Sequence, residues 1–453
     1  MNVLLIRPPR RNIYDAGLSV PPLGLAYIAS SLRKQGHKVE ILDAYALRWS
    51  WSKMSQHLKN IFVDVIGFTV MTPMLDTVVK ATKIVRSSCR FLIVGGPHPT
   101  AVKHDVFDDL PDIDYAVVGE GEQVICELLD YLHEYDGTSH VERKIPNGVV
   151  AKGIPFFPAL TPDVHKIPFP SRDLLPQRNY HYLFATKPGF ATMISSRGCP
   201  FRCSFCDKSV GGSRWRARSA VDIVNEMESL QNGNIGFINF YDDNFLLSRS
   251  RVIAICEEIM RRNLHVEWKC EGRVDSVDLE LLQIMRQAGC RVIAYGVESG
   301  NAQSLEILRK DITVEQSVIA FQLTKEAGIR SLAYMILGVP GESSADVEKS
   351  IRFVDDIGAD YAQFSSLTSM PGTPISENAS FVSVKNPLDS DIQRRTLTDM
   401  DGPELQRLLQ KAWVSFYIQP KRIYFIGRDS VRSGSWREGL RLGRHLGLWL
   451  LQG

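Results

Sequence analysis

Three cysteines fall within the stretch Arg197-Gly198-Cys199-Pro200-Phe201-Arg202-Cys203-Ser204-Phe205-Cys206, spaced C-x3-C-x2-C. Thiolates are soft ligands that suit iron–sulfur clusters and zinc. A [4Fe-4S] cluster ordinarily takes four cysteines. Three of them, with no fourth nearby, hold three irons and leave one open to a small molecule. A structural zinc site pairs two ligands with two more downstream. After Cys206 the next cysteine is Cys256, and neither a C-x-x-C nor an H-x3-H pair follows. The spacing therefore favours a cluster over zinc, and over unrelated core cysteines. Cys89, Cys126, Cys256, Cys270 and Cys290 lie in or beside apolar runs and read as small core residues.

The elements that must carry this loop alternate strand and helix. Ala191 to Ser196 reads as a strand that delivers the cysteines. Five further strand–helix units follow, with strands at Ile235–Phe240, Val266–Cys270, Arg291–Tyr295, Ser331–Ile336 and Tyr361–Ser365. Helices lie between, such as Ala220 to Asn232 and Asp278 to Gly289. Six units make a partial (β/α)6 barrel, open on one side. The chemistry of parallel barrels sits at the carboxyl ends of the strands. Those ends carry Tyr241-Asp242-Asp243-Asn244, Glu271-Gly272-Arg273, Gly296-Val297-Glu298-Ser299 and Gly338-Val339-Pro340-Gly341-Glu342. A blander reading makes Asp242 and Asp243 helix caps and Arg273 a partner for Glu271 or Asp275.

Residues 1–140 form a separate α/β unit. Strands at Val3–Ile6, Val39–Asp43, Val63–Phe68, Phe91–Val94 and Tyr115–Val118 alternate with helical stretches, the first from about Leu23 to Gln35. Such alternation gives a doubly wound parallel sheet, which binds ligands beyond its carboxyl strand ends. The strand ends here hold Thr69 and Thr72, then Gly95, Gly96 and His98, then Gly119, Glu120 and Gly121. Glycines let backbone approach a bulky ligand. No G-x-G-x-x-G follows the first strand, so a nicotinamide dinucleotide is not expected. Between the units, residues 141–190 accumulate prolines and read as a linker. Residues 191–385 form the barrel, and residues 386–453 a mainly helical cap with a helix from Gly402 to Gln419.

The cysteine stretch resembles the signature of the radical S-adenosylmethionine (SAM) enzymes. The N-terminal unit resembles the Rossmann-like cobalamin-binding domain that precedes the barrel in one large subclass, which includes methyltransferases and the anaerobic magnesium-porphyrin ester cyclase. The residues that carry the second resemblance are Pro21-Pro22-Leu23-Gly24-Leu25, Gly67-Phe68-Thr69, Gly95-Gly96-Pro97-His98-Pro99-Thr100 and Gly119-Glu120-Gly121-Glu122. The resemblance implies that Cys199, Cys203 and Cys206 ligate a [4Fe-4S] cluster whose open iron chelates SAM. It implies SAM contacts from Phe205, Asp242, Asp243, Arg273, Glu298, Ser299 and Gly338. Of these, Asp242 or Asp243 would take the ammonium, Arg273 the carboxylate or a substrate anion, Glu298 and Ser299 the ribose, and the Gly338 turn the adenine. It implies cobalamin contacts from Thr69, Thr72, Gly95, Gly96, His98, Gly119, Glu120 and Gly121. The D-x-H-x-x-G motif of classical cobalamin proteins is missing, Asp43-Ala44-Tyr45 standing near its place. No cobalt-ligating histidine is assigned, and His98, between two prolines, is expected to shape its loop.

The activity so implied is reductive SAM cleavage to a 5′-deoxyadenosyl radical, followed by methylation of an unactivated carbon in a natural-product, lipid or tetrapyrrole intermediate. Cyclisation or oxidation without methyl transfer is the alternative on the same scaffold. A non-catalytic cobalamin or SAM sensor is the alternative from another class. A methylthiotransferase is disfavoured, because only Cys89 and Cys126 precede the barrel. An electron donor such as flavodoxin or ferredoxin is implied as partner.

Composition sets outer bounds. The 453 residues are 44% hydrophobic and 23% charged, with a net charge of +2 that offers no hint of a nucleic-acid partner. No apolar run reaches the ~18 residues of a membrane span, and eight cysteines without a disulfide framework fit a reducing cytoplasm. The tail carries Lys421, Arg422, Arg428, Arg432, Arg437, Arg441 and Arg444 against Asp429 and Glu438, a composition that suits a solvated helix, an anionic membrane surface or an acidic partner.

Overall fold

The computed structural model describes residues 1–10, 19–134, 144–377, 397–398 and 400–450. The boundaries expected at 140 and 385 lie outside the described residues.

The N-terminal sheet has strands β1 (Asn2–Arg7), β2 (Lys38–Asp43), β3 (Val63–Thr69), β4 (Cys89–Gly95) and β5 (Tyr115–Val117), ordered β2-β1-β3-β4-β5 and all parallel. The strands are Val/Ile/Leu runs with both faces covered, as a doubly wound sheet requires. One face packs Ile66, Leu92 and Val94 against Val78, Ala81 and Val85. The other packs Val65, Ile93 and Val117 against Leu25, Leu128 and Leu129. The order reverses between β1 and β3, and open α/β sheets bind ligands at such a switch point.

A sixth strand, β6 (Val149–Val150), adds antiparallel to β5. It comes from the stretch read as linker, so this stretch completes the first sheet before it crosses. Farther along, Leu175, Tyr180 and Ala185 share a core with Ala26 and Ala46 of the first unit and with Phe190 and Phe237 of the second.

The second unit opens with β7 (Phe190–Met193), continued by the short ribbon β8 (Ser196–Arg197) and β9 (Arg216–Ala217), which pair antiparallel around the cysteine loop. Then come β10 (Phe237–Phe240), β11 (Glu267–Gly272), β12 (Cys290–Glu298), β13 (Arg330–Leu337) and β14 (Tyr361–Ser366). The sheet runs β14-β13-β12-β11-β10-β7, every neighbour parallel. Six strands in sequence order, each followed by helix, form the open barrel read from the pattern. The helix from Ala220 to Asn232 has the predicted bounds, with Ser219 capping its start. Asp278 likewise caps Leu279–Gln287.

The C-terminal segment does two things. The helix Gly402–Tyr417 lies on the outside of β14, where Leu405, Leu408, Ala412 and Phe416 join the main barrel core. The following hairpin, Pro420–Arg432 and Trp436–Leu450, sits at the amino ends of the strands: Asp429 takes hydrogen bonds from Arg330 and from Tyr361, which open β13 and β14. Ile426 packs there among Val292, Leu332 and Tyr361. The hairpin therefore closes the floor of the barrel rather than its mouth.

Candidate functional site

The cysteines occupy the loop between β8 and β9, at the carboxyl end of β7. Gly198 turns the chain at φ 83°, and a Cβ there would lie 2.3 Å from the Arg214 carbonyl, so only glycine fits. The loop is pinned along its length. Asp243 accepts the Gly198 N–H at 2.8 Å. The Cys199 N–H reaches the Gly212 carbonyl at 3.1 Å, and the Ser204 N–H reaches Leu308 O at 2.9 Å. Burial pushes the Cys203 thiol up, opposed by Lys310 and Arg273, and pushes Cys206 to about 12. Among the described residues no three His, Cys, Asp or Glu side chains converge on one ion.

Asp242 and Asp243, indistinguishable in the sequence, have separate tasks. Asp242 is fully buried and accepts from the Ser195 N–H at 2.7 Å and from the Ser195 and Ser196 hydroxyls at 2.5 Å each. It ties the end of β7 to β10 and has no face turned to a ligand. Asp243 holds the cysteine loop directly. Arg273 is also committed within the protein. It donates to Lys310 O at 2.7 Å and Asp311 O at 3.0 Å, forks onto Asp275, and stacks 3.8 Å from the Phe201 ring centroid. Its guanidinium is satisfied locally by the two carbonyls and clamps the cysteine loop.

Glu298 sits at a φ of 64°, which a non-glycine residue rarely adopts and which marks a constrained position. Its carboxylate pairs with Lys310 Nζ at 2.7 Å, directly over Gly296, where any Cβ would meet both groups at 2.4 Å. Ser299 is wholly buried, hydrogen-bonded to Ser350 at 3.0 Å and to the Asn301 N–H at 3.1 Å. Glu342 caps the Gly338 and Val339 N–H groups at 3.0 and 2.9 Å and accepts from Ser304 at 2.6 Å. Ser299 also donates to Glu342 at 3.5 Å and so supports the Gly338 turn from within. Phe205 packs against the apolar cluster of Leu308, Val339 and Leu367 beside that turn. Lys310 had no local signal in the sequence; only the chain's return brings it to Glu298 and, 5.8 Å away, to the Phe205 ring.

The cobalamin-set residues gather at the ends of β3, β4 and β5. Gly96 stands at φ 105° against Thr69, whose hydroxyl would be 2.8 Å from an added Cβ. His98 has both ring nitrogens engaged, one with Asp109 at 2.9 Å and one with Thr72 at 3.1 Å. The Gly119 N–H donates to Thr100 at 3.0 Å. Gly119 stands at φ 81° with nothing within 4 Å of a built Cβ.

Glu120 is engaged within the protein. Arg197 donates to it at 2.7 Å and to Glu122 at 2.5 Å, and Arg216 grips it from the other side. Arg197 and Arg216 are paired across β8 and β9. The loop expected to touch cobalamin is thereby bolted to the ribbon that frames the cysteines.

Comparison with known proteins follows the same division. The Radical SAM superfamily profile matches residues 193–354, and the B12 binding domain profile matches residues 12–129. The chain is 35% identical over 440 residues to the uncharacterized methyltransferase PH0819 of Pyrococcus horikoshii, covering 93% of each. It is 29% identical to the anaerobic magnesium-protoporphyrin IX monomethyl ester cyclase of Cereibacter sphaeroides, over 83% of this chain but only 63% of the cyclase. Among solved structures, the cobalamin-dependent SAM radical enzyme OxsB with aqua-cobalamin and SAM bound superposes with a TM-score of 0.75 at 19% identity, over 99% of this chain and 72% of that one.

Proposed function

The chain belongs to the radical SAM enzymes that carry a B12 binding domain ahead of the barrel, and from that premise we propose that it methylates an unactivated carbon of a small natural-product, lipid or tetrapyrrole intermediate. The observation that carries this reading is the Arg197–Glu120 junction, which bolts the Gly119 loop of the first unit to the ribbon that frames the cysteines. A substrate between them meets both cofactors. When bound, the cluster supplies an electron, SAM the 5′-deoxyadenosyl radical, and cobalamin the methyl group. The balance is a substrate C–H, two SAM and two electrons giving the C–CH3 product, 5′-deoxyadenosine, methionine and S-adenosylhomocysteine. A flavodoxin or ferredoxin would deliver the electrons.

The chain's own residues bind and orient. Cys199, Cys203 and Cys206 hold the cluster. Asp243 and Arg273 fix their loop, and the Glu298–Lys310 pair with Phe205 and the Gly338 turn shapes the SAM space. Gly95, Gly96, Gly119 and Gly121 admit the corrin edge. Inside the barrel, Lys269, Glu271 and Tyr334 form a linked set, with Glu271 accepting from Lys269 and from Tyr334 at 2.9 Å each. Their inward positions place them where a substrate's polar groups would lie.

Anaerobic purification with cobalamin supplied, followed by iron, sulfide and corrinoid analysis, tests the cofactor set. About four irons and one corrinoid per chain, together with formation of 5′-deoxyadenosine and S-adenosylhomocysteine from SAM under reductant, support methyl transfer. Iron without corrinoid would remove it. The similarity to the cyclase favours a second reading, ring closure or oxidation, in which 5′-deoxyadenosine forms and no methyl group moves. A sensor would cleave no SAM. No described helix is long and apolar enough to cross a membrane, and a cytoplasmic location is proposed on the free cysteines of the chain.

A further inference from the structure

We propose that the outer face of the C-terminal hairpin, Pro420–Arg432 and Trp436–Leu450, docks the enzyme on an anionic lipid bilayer. The inner face of the hairpin is anchored by polar contacts. Asp429, whose side chain is 1% exposed, holds Arg330 and Tyr361. Arg422 reaches Phe416 O at 3.0 Å and Ala359 O at 3.1 Å, and Ser430, Ser433 and Ser435 are buried. The large apolar side chains point the other way. Ile423 is 55% exposed, Tyr424 65%, Val431 68%, Trp436 47% and Leu440 69%. Ile423, Tyr424 and Val431 stand at i, i+1 and i+8, within about 100° of one another around their helix, and Trp436 and Leu440 at i and i+4, so each helix turns its exposed apolar side chains to one side.

Beside the stripes the described exposed charges are arginines. Arg432, Arg437, Arg441 and Arg444 are exposed, the last three at i, i+4 and i+7. Residues 420–450 hold only two acidic residues, Asp429 and Glu438, and Asp429 is turned inward. Apolar and aromatic side chains on one face with arginines along its edge are the composition of a helix that lies in the plane of a bilayer interface, with arginine heads reaching the lipid phosphates. With no described helix able to span, the contact is peripheral.

Position selects lipid over an acidic redox protein. Arg330 and Tyr361, which anchor the hairpin, open β13 and β14, whereas the cysteine loop lies at the carboxyl ends of the barrel strands. At ~3.3 Å per residue, the length of β13 alone separates the two poles. A redox protein seated on the hairpin would stand at the wrong end of the barrel to feed the cluster. A bilayer seated there leaves the strand-end site facing water, so the hairpin addresses the enzyme to a surface without gating its substrate. This inference is independent of which reaction the site performs.

The test is sedimentation of the full-length holoenzyme with vesicles of phosphatidylcholine, and of phosphatidylcholine containing phosphatidylglycerol. Salt-sensitive binding to the second kind only is expected, with about a fivefold loss of partitioning for each of Arg437→Gln and Arg441→Gln, and a further loss for Trp436→Ser with Leu440→Ser. The variants are at exposed positions, and an unchanged iron content shows that they fold. No binding to either vesicle overturns the proposal. So does binding that all four substitutions leave unchanged, which would reflect general charge. A dimer broken by Trp436→Ser, with no vesicle binding, would overturn it in favour of a second copy on the stripe.

Discussion

Glu120 and Arg197 face each other at 2.7 Å across the junction of the two units, both side chains largely buried. Arg197 stands one residue before the left-handed Gly198, two before Cys199, and Glu120 one residue after Gly119. One ion pair therefore couples the geometry of both cofactor sites. Removing Glu120 takes the ion-pair partner from the largely buried Arg216, while Arg197 keeps Glu122, and breaking a buried pair costs roughly 3–5 kcal/mol. Glu120→Ala is expected to lower the free energy of unfolding, read from urea titration, by an amount in that range and to reduce iron content. Full iron with lost corrinoid would instead return Glu120 to a cobalamin contact.

Cys203→Ala is expected to abolish the cluster's visible absorbance and bound sulfide, because two cysteines cannot hold a three-cysteine cluster. Retention of iron and sulfide at the parent level would remove the cluster assignment.

Arg273→Lys separates two roles. Lysine supplies neither the fork onto Asp275 nor the flat stack on Phe201. The cysteine loop should loosen, and iron content should fall while the variant stays folded. If Arg273 holds the SAM carboxylate, SAM affinity measured by equilibrium dialysis would drop with iron intact.

Glu342 yields a pH dependence. Burial raises its carboxyl above the ordinary 4.5, opposed by the hydrogen bonds from Ser304, Val339 and Gly338. In the interval between the unfolded and the raised folded value, the folded chain binds more protons than the unfolded one. Stability from this group is therefore complete below about 4.5 and is lost as pH rises through the folded value. Compared with Glu342→Gln, the parent should lose urea stability progressively as pH rises from that point. A constant difference between the two would show that Glu342 does not titrate in this way.

Lys310→Met leaves Glu298 buried without its partner. Weaker SAM binding, read by equilibrium dialysis on iron-replete protein, is expected, and unchanged affinity would separate the Glu298 carboxylate from SAM.

Local sequence determined the six barrel strands, the five parallel strands of the first sheet and the cysteine loop. Each of these is written in a run of neighbouring residues: apolar strands, capped helices such as Ser219 to Asn232, and a fixed cysteine spacing. It also showed which strand ends carry polar groups. It did not show which of those groups face a ligand, because burial depends on what the rest of the chain brings alongside. Asp242 is enclosed by Ser195 and Ser196, Arg273 by the carbonyls of Lys310 and Asp311, Ser299 by Ser350, and Glu120 by Arg197 and Arg216. None of these pairings has a signature in the local sequence, and the last joins residues some 77 positions apart. The tertiary structure alone decided that division, and with it the turning of the C-terminal hairpin to the floor of the barrel, where a buried aspartate could meet Arg330.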